Sequence, residues 1–269
     1  MNTGTASPDL LATIVAASRR LTDVRAGTIP LSMVEKAAAN RQPDGAGFVE
    51  ALRRGPSPRV IAESKRRSPS RGILRADYDA AAHARAYAAA GAAAISVLTE
   101  PTFFDGAIEH LAAVRSAVRI PVLRKDFIVT RYQVLEAIMI GADAVLLIVG
   151  ALSQAELREL LDVARQGGAA ALVEVHDARE LQVALDAGAA IVGVNSRNLR
   201  TLSVEPELHE RLVADIPRSV VRVAESGLRE PGDLRRLEAA GYDAFLVGER
   251  LIAQPDSGVA LRALRGEQP

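Results

Sequence analysis

Four glycines constrain this chain more than any other feature. Gly91, Gly141, Gly188 and Gly241 each close a helix-like stretch, and each leads into a short apolar run: AAAISVL, ADAVLLIV, AAIVGV and YDAFLVG. Glycine is the residue a helix end prefers at its left-handed position. The four stand 50, 47 and 53 residues apart by their numbers (91, 141, 188, 241). That spacing is too long for one strand–helix unit and right for two.

The missing units fall in between. Pro121-Val122-Leu123 follows IEHLAAVRSAV, Ala170-Ala171-Leu172-Val173 follows QAELRELLDVARQGG, and Val220-Val221-Arg222-Val223 follows PELHERLVADIP. With Val60-Ile61 this predicts eight short strands, starting near Val60, Ala94, Pro121, Ala144, Ala170, Ile191, Val220 and Ala244. Near-continuous apolar runs suit parallel strands covered on both faces. Between them, Ile108, Leu111, Val114 and Val118 repeat at helical spacing, as do Leu157, Leu160, Leu161 and Ala164. Eight alternating units predict an α/β fold, a (β/α)8 TIM barrel. A doubly wound open sheet is the alternative, but no Gly-rich dinucleotide turn follows the first strand.

Residues 1–55 precede the first strand and read as an N-terminal helical extension of one barrel domain spanning 1–269. Ser7-Pro8 reads as N-cap and first helical residue, with a helix to about Val24. Further helices are expected over 32–40 and 47–54. These are too short to hold an independent core.

Composition narrows the function. Lys+Arg and Asp+Glu are equal at 33 each, which argues against a dedicated nucleic-acid binder. The chain has no cysteine, which removes disulfides, zinc fingers and thiol nucleophiles together. No apolar stretch reaches the ~18 residues of a membrane span. No basic segment leads an apolar one at the N-terminus, so a cytoplasmic protein is expected.

In such a barrel the chemistry sits at the C-terminal ends of the strands. Charged or polar groups follow seven of the eight runs: Glu63, Ser64, Lys65, Arg66 and Ser68; Thr99 and Glu100; Arg124, Lys125 and Asp126; Glu174, His176 and Asp177; Asn195, Ser196, Arg197 and Asn198; Glu225 and Ser226; Glu249. The fourth run, AVLLIVGAL, ends apolar. So many polar groups on one rim imply a pocket for a small charged molecule. Gly227 and Gly248, after the seventh and eighth runs, leave bare amides suited to a phosphate, although either alone could be a tight turn.

Lys125, in LRKDF, could be a snorkelling surface lysine. Beside acidic neighbours at a strand end it can instead act as a general acid or, with a shifted pKa, as a base. Glu174, in LVEVHD, is the matching candidate base. His176 would need further ligands to hold a metal. The other histidines, His83, His110 and His209, fall on helices, so no metal is expected.

The stretches IAESKRRSPSRG, SVLTEPTFFDG, VLRKDFIV, GADAVLLIV, LVEVHD, VGVNSRNL, VAESGL and FLVGERL run in order from residue 61 to 251. In these the chain resembles the indole-3-glycerol phosphate synthases of tryptophan biosynthesis. Relatives often carry an aromatic where Ser64 stands, a departure expected to affect packing at the mouth.

The resemblance implies ring closure of a carboxyphenylamino-deoxyribulose phosphate with loss of CO₂ and water, and no cofactor. It implies Lys125 as the acid at the ketone oxygen and Glu174 as the acid/base of dehydration. Lys65 would engage the substrate carboxylate, with Glu63 orienting it. Asn195 and Ser226 would be positioning groups, and Arg197 and Glu225 contacts to sugar hydroxyls or neighbouring charges. Gly227, Gly248 and the Glu249 amide would form the phosphate cradle, with Ser68 touching substrate. Arg66, Arg67 and Arg71 would add positive field or face solvent. Family members include monomers and fusions, and a monomer is expected here. Two rival readings stand beside this one. A sugar-phosphate isomerase barrel of the same pathway resembles Cys/Asp chemistry, and this chain lacks Cys. An RNA-binding barrel would use the Lys65–Arg71 cluster and weaken steeply with salt.

Overall fold

The computed structural model describes residues 9–267. Eight parallel strands close into a barrel: β1 (Val60–Ser64), β2 (Ala94–Leu98), β3 (Val122–Lys125), β4 (Ala144–Ile148), β5 (Ala170–Val175), β6 (Ile191–Asn195), β7 (Val221–Glu225) and β8 (Ala244–Val247). Closure is made by β1, which pairs with β2 on one side and with β8 on the other (Ile61↔Leu246). All eight strands lie within a residue of their expected starts. The four punctuating glycines all have positive φ, from 79° at Gly91 to 116° at Gly241.

Alternation along each strand sorts the side chains into two layers. Ile61, Leu123, Leu146, Leu172, Ile191, Val223 and Leu246 fill the barrel interior. Val60, Ala62, Ile95, Val145, Val173, Val192 and Phe245 pack outward against the helices. Both layers are apolar, which is why the runs read as continuous. At the C-terminal ends the same inward rows deliver Glu63, Lys125, Glu174, Asn195 and Glu225. Register brings them level, with Glu174 opposite Gly193 and Asn195 opposite Glu225.

The extension forms three helices: α1 (Leu10–Thr28), α2 (Leu31–Ala39) and α3 (Gly45–Arg54). Ser7-Pro8 lies outside the described residues; Asp9 caps α1 by accepting from the Ala12 amide at 3.2 Å. α3 crosses the strand starts, with Gly45 against Gly168–Ala170 and with Phe48 and Leu52 entering the interior cluster. α1 runs four residues past the expected Val24. Its last turn is anchored by Arg25, which pairs with Glu136 at 2.8 Å. Glu136 lies on the helix after β3, residues Arg131–Ile140. No apolar periodicity marks that turn, since an ion pair holds it.

Arg124 corrects one expectation. It belongs to the outward row of β3, is fully buried, and bonds Asp126, Glu136, Thr99 and the Gln133 carbonyl at 2.9–3.0 Å. It therefore ties β3 to the helix Arg131–Ile140, whose Glu136 also holds Arg25 of the extension, and does not face the mouth. Ser64 is likewise outward and buried, 2.9 Å from the Tyr78 hydroxyl. Its departure from the family pattern is felt in the outer layer and not at the mouth. Glu100 and Asp177 serve as caps: Glu100 accepts from the Thr102, Phe103 and Phe104 amides, and Asp177 from that of Glu180.

Candidate active site

One cavity of about 590 Å³ opens at the C-terminal end of the barrel. All twelve residues singled out in sequence line it: Glu63, Lys65, Ser68, Lys125, Glu174, Asn195, Arg197, Glu225, Ser226, Gly227, Gly248 and Glu249. They come from six strand ends and the loops beyond them. The barrel brings them together, since no two of the inward strand positions are neighbours in sequence.

The cations are paired differently. Lys65 Nζ lies 2.5 Å from Glu63 Oε1, two residues back along the same strand end. Lys125 Nζ lies 3.5 Å from Glu174 Oε2, across the barrel from a strand that is not its neighbour. Burial alone would lower the Lys125 ammonium; Glu174, Glu63 and Glu225 outweigh it and hold it above the ordinary lysine range.

Glu174 is wholly buried, which by itself would raise its carboxyl. Lys125 and His176, with help from Asn195, reverse that and keep it below the usual carboxylate range. Glu225, equally buried, is pushed well above that range, first by burial and then by the charge of Glu174. Of these two facing carboxyls, the surroundings favour the charged form of Glu174 and the protonated form of Glu225. Neither Glu225 oxygen has a hydrogen-bond partner among the described residues.

Two glycines make this crowding possible. A Cβ on Gly193 would fall 2.0 Å from Glu225 Oε1, and one on Gly248 would fall 2.2 Å from Glu63 Oε1. After β7 the chain turns through two left-handed residues, Ser226 (φ 66°) and Gly227 (φ 73°). A left-handed serine costs backbone energy, and such residues cluster at sites of function. Gly248 leads into the short helix Glu249–Ile252. The Glu249 side chain meets Arg197 at 3.5 Å and Arg71 at 3.7 Å, and Ser70 lies 3.5 Å from both Glu249 and Arg197. These contacts join the first βα loop to the sixth and eighth.

Sequence reading missed three features. The first loop carries a small hairpin, Arg67–Ser68 against Gly72–Ile73. Arg66 of that loop is neutralised by Asp105, so the basic cluster is not a free cationic patch. The cavity also has an apolar wall of Leu98, Phe104, Phe127, Leu146, Ile148 and Leu246. The apolar end of the fourth run and the Phe103-Phe104 pair were its only signals.

The fold and site define a class: a (β/α)8 barrel enzyme with acid–base groups and an apolar wall for a small anionic substrate. The indole-3-glycerol phosphate synthase family model matches residues 11–264. The indole-3-glycerol phosphate synthase of Azospirillum brasilense is 46% identical over 259 residues, covering 95% of this chain and 98% of its own. That of Sulfurimonas denitrificans is 53% identical over 207 residues, covering 77% and 79%. A solved N-acetylmannosamine-6-phosphate 2-epimerase from Clostridium perfringens superposes with a TM-score of 0.58 at 15% identity, over 80% of this chain and 93% of its own. That likeness is of fold alone. The chain belongs to the indole-3-glycerol phosphate synthase family and is a carboxy-lyase of tryptophan biosynthesis. Among the described residues no helix is long and apolar enough to cross a membrane.

Proposed function

We propose that this cavity performs the family reaction on 1-(2-carboxyphenylamino)-1-deoxyribulose 5-phosphate, in the cytoplasm, with the residues in these roles. The observation that carries the reading is Lys125 paired with Glu174 at 3.5 Å beside an apolar wall fit for an aryl ring. Lys65, oriented by Glu63, engages the aryl carboxylate. The backbone around Gly227, Gly248 and Glu249 receives the phosphate. Anchoring both ends folds a flexible chain so that the aryl carbon meets the ketone, which supplies catalysis by proximity.

Lys125 then gives its proton to the ketone oxygen as the carbon–carbon bond forms. Loss of CO₂ leaves its electron pair in the ring and restores aromaticity. The new hydroxyl departs as water with a second proton, given by the Lys65 ammonium. Glu174, held ionised, removes the proton from the adjacent carbon. The buried Glu225 carboxyl, protonated and unpartnered, is suited to a sugar hydroxyl. Asn195 accepts from the Arg197 amide at 3.0 Å, which fixes the loop that carries Arg197.

The test is direct. Purified protein mixed with the substrate should develop indole fluorescence with stoichiometric release of CO₂. Substrate left unchanged would overturn the reading.

A further inference from the structure

Behind Glu174, away from the cavity, stands His176, which does not line the pocket. Its Nε2 lies 3.2 Å from Glu174 Oε1 and its Nδ1 3.1 Å from Glu180 Oε2. The same Glu180 oxygen accepts the His176 backbone amide at 2.7 Å, so the loop and ring are fixed together. The Glu180 side chain is 22% exposed, His176 15% and Glu174 1%. Space for Glu180 is left by Gly150, where a Cβ would come within 2.9 Å of its Oε1. The series Glu180–His176–Glu174–Lys125 thus alternates acid and base from the protein surface to the reacting centre.

The reaction makes such a series useful. Lys125 is the principal cation on Glu174, and its task is to hand a proton to the substrate. Once it has done so it is a neutral amine, and a buried carboxylate with no counter-charge is strongly disfavoured. Glu225 cannot help, since its own charge would add to the problem. Glu174 would then hold a proton just when dehydration needs it as a base.

We propose that His176 is a positioning residue for Glu174: clamped by Glu180, it keeps that carboxylate ionised and aimed at the cavity after Lys125 has given up its proton. Facing Glu174 are Lys125 from β3, Glu225 from β7, Asn195 from β6 and His176 from its own loop. Among the described residues, the charged groups that act most on His176 are Glu174 and Glu180. Burial opposes charge on the ring, but the two carboxylates raise it to about 10, so the imidazolium persists across the working range. No proton need leave His176 in the cycle. It acts as a fixed charge, which Lys125 cannot be.

The inference rests on the reading of Glu174 as the base. The test combines His176→Gln and Glu180→Gln with Glu174→Gln, measuring kcat and KM against pH, melting temperature, and the ring signals of the four histidines by NMR. His176→Gln should lower kcat about tenfold, leave KM within about threefold, and move the acidic limb of kcat/KM up by about one pH unit, the worth of one lost adjacent charge. Glu180→Gln should move the limb the same way by less, and Glu174→Gln should make His176 titrate near neutral pH. An unchanged limb in His176→Gln, with or without a lower melting temperature, would overturn the clamp while leaving the proposed reaction intact. Full turnover in Glu174→Gln would overturn the reading beneath it instead.

Discussion

The site holds two lysine–glutamate pairs built on different principles. Lys65 and Glu63 lie two residues apart on one strand end, so the backbone alone points both into the mouth and sets their 2.5 Å contact. Lys125 and Glu174 come from strands that are not adjacent, and their 3.5 Å approach exists only when the barrel is closed. The first pair is set by local geometry, although the Glu63 charge also reaches Lys125 and Glu225. The second shares its charge with His176 and Glu225 in a cluster whose two carboxyls are fully buried. A local pair suits binding, where a fixed cation meets an anion. A pair coupled across the barrel suits proton transfer, because each partner's affinity for a proton depends on the other's state.

Breaking the coupled pair should show the larger effect. Lys125→Ala should lower kcat by roughly 10²–10⁴-fold, the usual worth of a general acid, with the fold kept. Steady-state kinetics with a circular-dichroism melt decide it, and retained turnover would remove Lys125 from the mechanism. Lys65→Ala should lower kcat/KM by about 10–10²-fold, mainly through KM, since a hydrogen bond to a charged group is worth about 1.5–3 kcal/mol. A substrate analogue lacking the aryl carboxylate should be insensitive to that change. Equal sensitivity would refute the carboxylate role.

The same contrast explains what was legible in the sequence. Strand count and starts came from the apolar runs and the glycines between them, because parallel strands buried on both faces leave that signature. The inward residues at the strand ends could be named because they end those runs. Arg124 could not be separated from Lys125 without register, and one residue of register decides whether a side chain faces the mouth or the helices. Phe104 stands after the second apolar run and Phe127 after the third, and only the fold shows that their rings, with centroids 6.1 Å apart, share one wall of the cavity. In sequence, His176 suggests only a metal ligand. Its partner Glu180 stands one helical turn on, a spacing visible in the sequence but without meaning until Glu174 is known to be buried.

Gly193 and Gly248 extend the comparison to the backbone. Each leaves room for one acid, Gly193 for Glu225 in the coupled cluster and Gly248 for Glu63 in the local pair. A lone glycine inside a strand run is a sign of close approach. Gly193→Ala should cost about 1–3 kcal/mol of stability, as overpacking of a filled core does. The added methyl is crowded on a second side too, since Leu172 Cδ1 stands 3.2 Å from it. Urea melts would measure it; a variant as stable as the parent would mean that Glu225 has space to move.

Glu225 supplies the smallest and most selective test of where the proton resides in the coupled cluster. Its carboxyl is raised in the folded protein, so folding favours the protonated form. The sign follows from linkage: stability tied to this group is fully present below its unfolded pKa, about 4.3, and is lost as pH rises through the folded value. At neutral pH the folded chain must keep a proton that the unfolded chain would release. Glu225→Gln keeps the shape of the neutral acid and removes that cost. It should raise the melting temperature by about 2–4 °C per kcal/mol regained at pH 7–8, and leave it unchanged near pH 3.5. Glu174→Gln should do the reverse, destabilising at neutral pH by leaving Lys125 and His176 without their anion. Were the two variants to respond alike, the proton would be shared between Glu174 and Glu225, and the asymmetry that makes Glu174 the base would be lost.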